Sequence, residues 1–297
     1  MGFNRRSTAE QVTEGQDLSG KTIVITGVNS GLGEESMRVL SERGAHVIGL
    51  ARTQAKADAA CEAAPGRATG IACELSNFDS VATAAQRIRD MDMPIDVLMT
   101  NAGIMAPKNL SHAHDLEMQF ATNHMGHFIL VDQLLDQVKW ADAGRVVILS
   151  SAAHTLTVSG GIDFDNLDAS QGYDPWRFYG QSKLANLLHA RQLSKRLEDT
   201  PATANALHPG VIQTNLARDA GGMLTWLMGI LSLPIQKNVP QGAATQCYVA
   251  THPELDGVTG AYFSDCKEAR SSAWGRDDNL AEALWHESER LASGYLA

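Results

Sequence analysis

Lys21-Thr22-Ile23-Val24-Ile25-Thr26-Gly27-Val28-Asn29-Ser30-Gly31-Leu32-Gly33 decides how the rest of the chain is read. Its first half is short, apolar and rich in β-branched side chains, which predicts a buried strand. Three glycines follow, and a helical pattern then runs to about Arg43, stopped by Gly44. Glycine permits the tight turn and lets backbone N–H groups approach a pyrophosphate, whose charge the helix N-terminus favours. A strand before the turn and a helix after it are the context that a dinucleotide site requires. Gly27, Asn29, Ser30, Gly31, Leu32 and Gly33 are therefore candidate coenzyme contacts.

Outward from this turn, further strands are expected at 45–51, 67–73, 95–100, 144–150 and 202–207. Helices are expected near 54–64, 77–90, 115–138 and 179–197. Strand–helix alternation predicts an α/β fold: a Rossmann-like, doubly wound parallel sheet of about seven strands with helices on both faces. Residues 1–297 show no linker or repeat and are expected to form a single domain. An N-terminal extension, 1–18, is expected as a surface helix, with Ser7 and Glu10 at capping-box spacing. In such a sheet the ligand lies beyond the carboxyl ends of the strands. The second strand ends in Leu50-Ala51-Arg52, with no carboxylate before Asp58. A carboxylate there would hold the ribose hydroxyl of NAD, whereas Arg52 suits the 2′-phosphate of NADP.

The bulk composition excludes several classes. The chain has 297 residues, 44% hydrophobic and 20% charged, with a formal net charge of −10. A phosphate-binding face must be basic, so nucleic acid is not an expected partner. Cys61, Cys73, Cys247 and Cys266 form no Cys-x-x-Cys, so neither a metal site nor a disulfide framework is expected. Free thiols suit a reducing cytoplasm. Arg5-Arg6 is not followed by the apolar run of a secretion signal. The apolar stretch from Met223 to Ile235 is too short to span a bilayer, and Gly229 and Pro234 interrupt it. It falls in 215–240, expected as an apolar substrate lid, with core packing or a membrane-touching surface as alternatives.

Arg177-Phe178-Tyr179-Gly180-Gln181-Ser182-Lys183 places a phenol and an ammonium four residues apart, on one face of a helix. A lysine charge near a tyrosine hydroxyl favours the phenolate, and a tyrosine so tuned can exchange a proton near neutral pH. On spacing alone, Tyr179 could equally anchor a helix start while Lys183 is a solvated charge. His124, His127 and His154 are expected to be structural, because no suitable carboxylate accompanies them.

Taken together these motifs resemble the short-chain dehydrogenase/reductase family over about residues 21–215. The turn from Thr26 matches that family's Thr-Gly-x-x-x-Gly-x-Gly. Asn101-Ala102-Gly103 resembles its Asn-Asn-Ala-Gly, with Thr100 in place of the first Asn, and the resemblance implies that it lines the adenosine side of the coenzyme. Glu74-Leu75 stands where the family has Asp-Leu beside the adenine. Asn123 matches the helix asparagine that holds a proton-relaying water, and Ser151 the catalytic serine. Tyr179 and Lys183 match the Tyr-x-x-x-Lys. Pro209, Gly210, Val211 and Thr214 match the stretch that contacts the nicotinamide end.

The resemblance implies NADP(H)-dependent hydride transfer between a carbonyl and an alcohol. Tyr179 would be the acid/base, Ser151 would stabilise the oxygen, and Lys183 would lower the Tyr179 pKa and hold the nicotinamide ribose. Asn186, the long separation of Ser151 from Tyr179 and the tail Ala261-Tyr262-Phe263-Ser264-Asp265-Cys266 are similar to the branch of retinol dehydrogenases and light-dependent protochlorophyllide reductases, which prefers NADP(H). A small apolar or aromatic substrate is expected. Reduction of a carbon–carbon double bond and a non-catalytic dinucleotide sensor are the alternatives. Helices around 115–138 and 179–198 form the dimer surface in many members, which makes a homodimer an expectation here.

Overall fold

Strand β1 (Thr22–Thr26) is buried at every residue, because helices cover both of its faces. Val24 points into one core, with Phe78, Phe128 and Leu188. Ile23 and Ile25 point into the other, with Met37, Leu40 and Val249. A strand buried on both faces reads as a continuous apolar run, as it does here. The chain is described by a computed structural model over residues 2–212 and 236–297.

After α1 (Ala9–Val12) and β1, the chain runs through α2 (Gly31–Glu42), β2 (His46–Ala51), α3 (Gln54–Glu62), β3 (Ala68–Ala72), α4 (Phe78–Arg89) and β4 (Val97–Thr100). A small antiparallel pair, β5 (His112–Ala113) and β6 (Leu116–Glu117), leads into one turn of helix, α5 (Met118–Phe120). A π turn (Ala121–Met125) joins it to α6 (Gly126–Trp140). Next come β7 (Arg145–Leu149), α7 (Pro175–Arg196), β8 (Thr203–His208), α8 (Val239–Thr251), β9 (Tyr262–Ser264), β10 (Lys267–Glu268) and α9 (Asp278–Leu291).

The large sheet has the order β10-β9-β8-β7-β4-β1-β2-β3. Seven strands are parallel, in agreement with the sequence, and β10 adds an antiparallel edge through a tight hairpin from β9. That hairpin turns at Asp265 and Cys266, both with positive φ. From β1 the chain moves outward through β2 and β3, then returns to place β4 on the other side of β1. This reversal makes the carboxyl ends of β1 and β4 the switch point where doubly wound sheets bind ligands.

The N-terminal segment is tied to this frame. The capping box belongs to Thr8 and Gln11 and not to the expected Ser7 and Glu10. Ala9 and Val12 are buried, and Arg38 reaches Glu10 at 2.7 Å. All four cysteines are buried and free. Among the described residues no helix is long and apolar enough to cross a membrane, and no group of His, Cys, Asp and Glu could hold a metal ion.

Two glycines set the shape of the first turn. Gly27 has φ +76, a conformation that L side chains rarely adopt. A Cβ on Gly33 would overlap the Gly27 carbonyl oxygen and lie 2.6 Å from Asn101 Nδ2. Backbone cannot yield as a flexible side chain would, so Gly33→Ala is expected to destabilise the protein by about 2 kcal/mol. A lowered denaturant midpoint at unchanged slope checks this; an unchanged midpoint would contradict the packing described.

Candidate active site

The site begins where β1 and β4 end. Thr26 closes β1, and its hydroxyl accepts the backbone N–H groups of Asn101 and Ala102, each at 2.9 Å. Asn101 Nδ2 in turn donates to the Thr26 carbonyl at 2.8 Å. The glycine turn and the Asn101-Ala102-Gly103 turn are thereby locked side by side. Helix α2 starts at this junction, and its N-cap Ser30 makes no side-chain capping bond. Helices α3, α4 and α7 are capped by Thr53, Asn77 and Asp174. The backbone N–H groups at the α2 start are thus open to an anion, with Asn29 and Ser30 exposed beside them. Asn101 Oδ1, buried next to this turn, has no hydrogen-bond partner among the described residues. An open helix start, a glycine cradle and an unpaired acceptor fit a dinucleotide.

On the side expected to face adenosine, Arg52 Nε lies 3.1 Å from Glu74 Oε2, with the Arg52 side chain largely exposed. Glu74 Oε1 also accepts from Ser76 Oγ at 3.0 Å. Leu75 has its side chain in the core, and its carbonyl abuts Gly126 at the start of α6.

The residues expected at the reacting end are carried by the π turn, the end of β7 and α7. Asn123 is fully buried, and its side chain grips the Ile104 backbone from both sides. Its Oδ1 accepts from Ile104 N at 2.8 Å, and its Nδ2 donates to Ile104 O at 3.0 Å. Asn123 Nδ2 also donates to Ser182 Oγ at 3.0 Å, and Ser182 Oγ donates to the Tyr179 carbonyl at 2.8 Å. A Cβ on Gly103 would sit 2.9 Å from Asn123 Oδ1 and 3.5 Å from Lys183 Nζ, so these three residues converge. Lys183 Nζ donates to the Leu149 carbonyl at 3.2 Å, and Asn186 Nδ2 shares that acceptor at 3.0 Å.

Ser151 caps the short 3-10 turn Ala152–Thr155, its Oγ accepting from Ala153 N at 3.2 Å. Its one proton is left to donate, and Tyr179 receives it. His154 Nδ1 lies 2.6 Å from the Ser151 carbonyl, and His208 Nδ1 accepts from Ala152 N at 3.1 Å. The serine backbone is therefore held from both sides.

Electrostatics modify the expectation for Tyr179. Burial pushes its phenol up to about 12, opposed by a hydrogen bond with Ser151. Burial also holds Lys183 down to about 8. Lys183 Nζ is 5.9 Å from the centre of the tyrosine ring. Desolvation disfavours both charged forms, so Tyr179 is raised where its spacing to Lys183 predicted a lowering. The histidines are held neutral by burial as well, His124 at about 3 and His127 at about 4.

Of the nicotinamide-side residues, Pro209 is buried and Gly210 packs on the aliphatic part of Lys237. Val211 is exposed, and its carbonyl accepts from Lys237 N at 2.8 Å. Lys237 forms a 2.6 Å ion pair with Asp265. Thr214, and the expected lid apart from 236–240, lie outside the described residues. Ser182, His127, His154, His208 and Lys237 join the site without having been marked as site residues from sequence. Only Ser182 carries a local signal, sitting three residues after Tyr179 on the same helix.

The family model described as short chain dehydrogenase matches residues 21–164. The chain is 43% identical over 304 residues to short-chain dehydrogenase TIC 32 B, chloroplastic, of Brassica napus, covering 98% of this chain and 94% of that one. It is 37% identical to human retinol dehydrogenase 14, covering 92% and 86%. The solved structure of an uncharacterized protein from Mycobacterium paratuberculosis is similar with a TM-score of 0.77, at 34% identity, covering 95% of this chain and 97% of that one. The chain belongs to the short-chain dehydrogenase/reductase family of dinucleotide-dependent oxidoreductases.

Proposed function

We propose that the protein interconverts a carbonyl and an alcohol on an apolar small molecule, with NADP(H) as coenzyme and Tyr179 as general acid/base. The observation that carries this reading is the convergence of Ser151, Tyr179 and Lys183 at the same carboxyl end of the sheet as the glycine cradle. The coenzyme, when bound, supplies or takes the hydride. Tyr179 gives its phenolic proton to the substrate oxygen in reduction and takes it back in oxidation. Ser151, whose proton goes to Tyr179 in the coenzyme-free protein, would donate it to that oxygen and stabilise the charge that develops there. Lys183, protonated, would lower the Tyr179 pKa and hold the nicotinamide ribose, while Asn123 would hold a water on the proton path.

Several side chains support an apolar substrate. The Trp176 and Tyr179 rings meet edge to face, their centres 6.3 Å apart. Leu156, whose backbone lies against α7 at Gly180, is half exposed, and Val211 is also exposed. Apolar walls with few polar groups are the usual lining of a small-molecule site. The NADP(H) reading rests on Arg52, whose ion pair with Glu74 is exposed and so easily exchanged for a phosphate. Four free thiols support a reducing, cytoplasmic location.

Tyr179→Phe is expected to retain coenzyme binding while turnover falls by at least about a hundredfold. Nicotinamide absorbance with a panel of apolar ketones and aldehydes measures this, and near-normal turnover would refute the assignment. Arg52→Ala is expected to weaken NADPH binding about tenfold and leave NADH binding nearly unchanged. Fluorescence titration with the two coenzymes side by side decides it, equal losses counting against the reading.

A pH dependence of stability follows from Lys183. Its pKa is lowered in the native state, from 10.5 to about 8, so the unfolded chain binds that proton more tightly. The native state is therefore penalised below pH ~8, and the penalty fades as pH rises toward the unfolded value. Tyr179, raised from 10.0 to about 12, works the other way only above pH ~10. Between pH ~7.5 and ~9.5 the coenzyme-free protein should gain about 2 kcal/mol relative to Lys183→Met. Denaturant midpoints of both proteins at the two pH values test it, and parallel curves would exclude a buried ammonium with a lowered pKa.

A further inference from the structure

His127 occupies a place that the proposed chemistry does not assign. It follows the π turn, is 1% exposed, and touches both halves of the site. Its Nε2 lies 2.9 Å from Thr26 Oγ1, the hydroxyl that joins the two coenzyme-side turns. Its Nδ1 lies 3.0 Å from the carbonyl of Asn123, whose side chain binds Ile104 and Ser182.

Counting protons fixes the state of the ring. The Thr26 hydroxyl already accepts two backbone N–H groups, from Asn101 and Ala102, which fills both of its lone pairs. Its own proton must therefore go to His127 Nε2, which has to be bare. The Asn123 carbonyl only accepts, so Nδ1 carries the proton and donates it. A second proton on Nε2 would face a hydroxyl with no lone pair to offer. Burial and the charge of Lys183 both keep the imidazole neutral.

The resulting chain of hydrogen bonds runs from the Asn101 and Ala102 amides through Thr26, His127 and Asn123 to Ser182 and the carbonyl of Tyr179. We propose that His127, as the Nδ1-protonated neutral imidazole, is a positioning residue that fastens the coenzyme-binding turns to the Asn123–Ser182–Tyr179 end of the site. Through Nε2 it fixes Thr26 and hence the turn at Asn101. Through Nδ1 it fixes the backbone of Asn123. The functional part of this inference rests on the oxidoreductase reading above, whereas the state of the ring does not.

Two measurements test it. In the coenzyme-free full-length protein, nitrogen-15 shifts of the imidazole, assigned by their loss in His127→Phe or His127→Asn, should show a protonated Nδ1 and a bare Nε2 at neutral pH. The opposite tautomer or an imidazolium would overturn the proposal. The second measurement separates the two bonds, with NADPH Kd from fluorescence titration and kcat at saturating coenzyme. His127→Phe keeps the bulk of the ring, loses both bonds, and should weaken Kd and lower kcat about tenfold each. His127→Gln can return an acceptor to Thr26 and should recover most of the affinity. His127→Asn can return a donor to the Asn123 carbonyl and should recover most of kcat. If His127→Phe does not fold, the other two carry the test. Variants that lose only thermal stability, with Kd and kcat within about twofold of the parent, would show a merely structural residue and overturn the proposal. A parent that binds no NADPH would refute the coenzyme reading instead, and the nitrogen shifts would still decide the tautomer.

Discussion

A single hydroxyl, that of Thr26, holds the site together. It stands at the carboxyl end of β1 and accepts two backbone N–H groups from the end of β4. Parallel strands leave their last N–H groups without ladder partners, and burying such groups unpaired is costly. Thr26 satisfies them and so fixes the distance between the glycine turn and the Asn101 turn. The α2 N-terminus and the Gly33 packing follow from that distance, because Gly33 sits against both the Gly27 carbonyl and Asn101. A valine here would fit the strand equally well, but it would leave the Ala102 amide without its acceptor and the Asn101 amide with only the Met99 carbonyl at 3.1 Å. The requirement for a hydroxyl is therefore set by the junction and not by the strand.

The proposed acid–base end carries the opposite energetics. Tyr179 and Lys183 lie on a helix that is buried over most of its first four turns. Two ionisable groups in that setting both shift toward neutrality, Tyr179 upward and Lys183 downward. Such shifts lower native stability and are common where protons are handled. The apolar cores on the two sheet faces offset the cost, and α7 contributes Leu184, Leu187, Leu188 and Leu193 to one of them. Leucines on the same helix as the tyrosine and the lysine keep it in place while its polar residues are desolvated.

The parts legible in the sequence were those whose cause is local. The β1 run, the glycine turn and the Tyr179–Lys183 spacing each depend on residues a few positions apart, so period and turn chemistry reveal them. The π turn at Ala121–Met125 has no such signal. The sequence there continues an apolar helical period, and only the Gly126 N–H reaching the Ala121 carbonyl shows the widened turn. The β9–β10 hairpin was hidden for a different reason. Its two positive-φ residues are Asp265 and Cys266, not the Asn-Gly or Asp-Gly that marks such turns. Burial and the Lys237 ion pair hold that backbone, and both are tertiary. The misplaced cap at Ser7 had a simpler source. Ser7-x-x-Glu10 and Thr8-x-x-Gln11 have the same spacing, and only the backbone decides which one caps.

His127 shows why motif reading stops short of the site's internal wiring. From sequence it is one of several histidines on an apolar helix, and a structural role was the reasonable expectation. Burial keeps the ring neutral. The expectation was uninformative about connection. Thr26 and His127 are separated by 101 positions, and neither residue's surroundings in sequence indicate the other. Their bond exists because β1 and α6 cross where the sheet reverses order, and there a threonine with filled lone pairs needs an acceptor. A neutral imidazole is both acceptor and donor across one rigid ring, so it can complete the threonine and hold the Asn123 backbone together. An aliphatic residue of similar volume would pack there and satisfy neither neighbour.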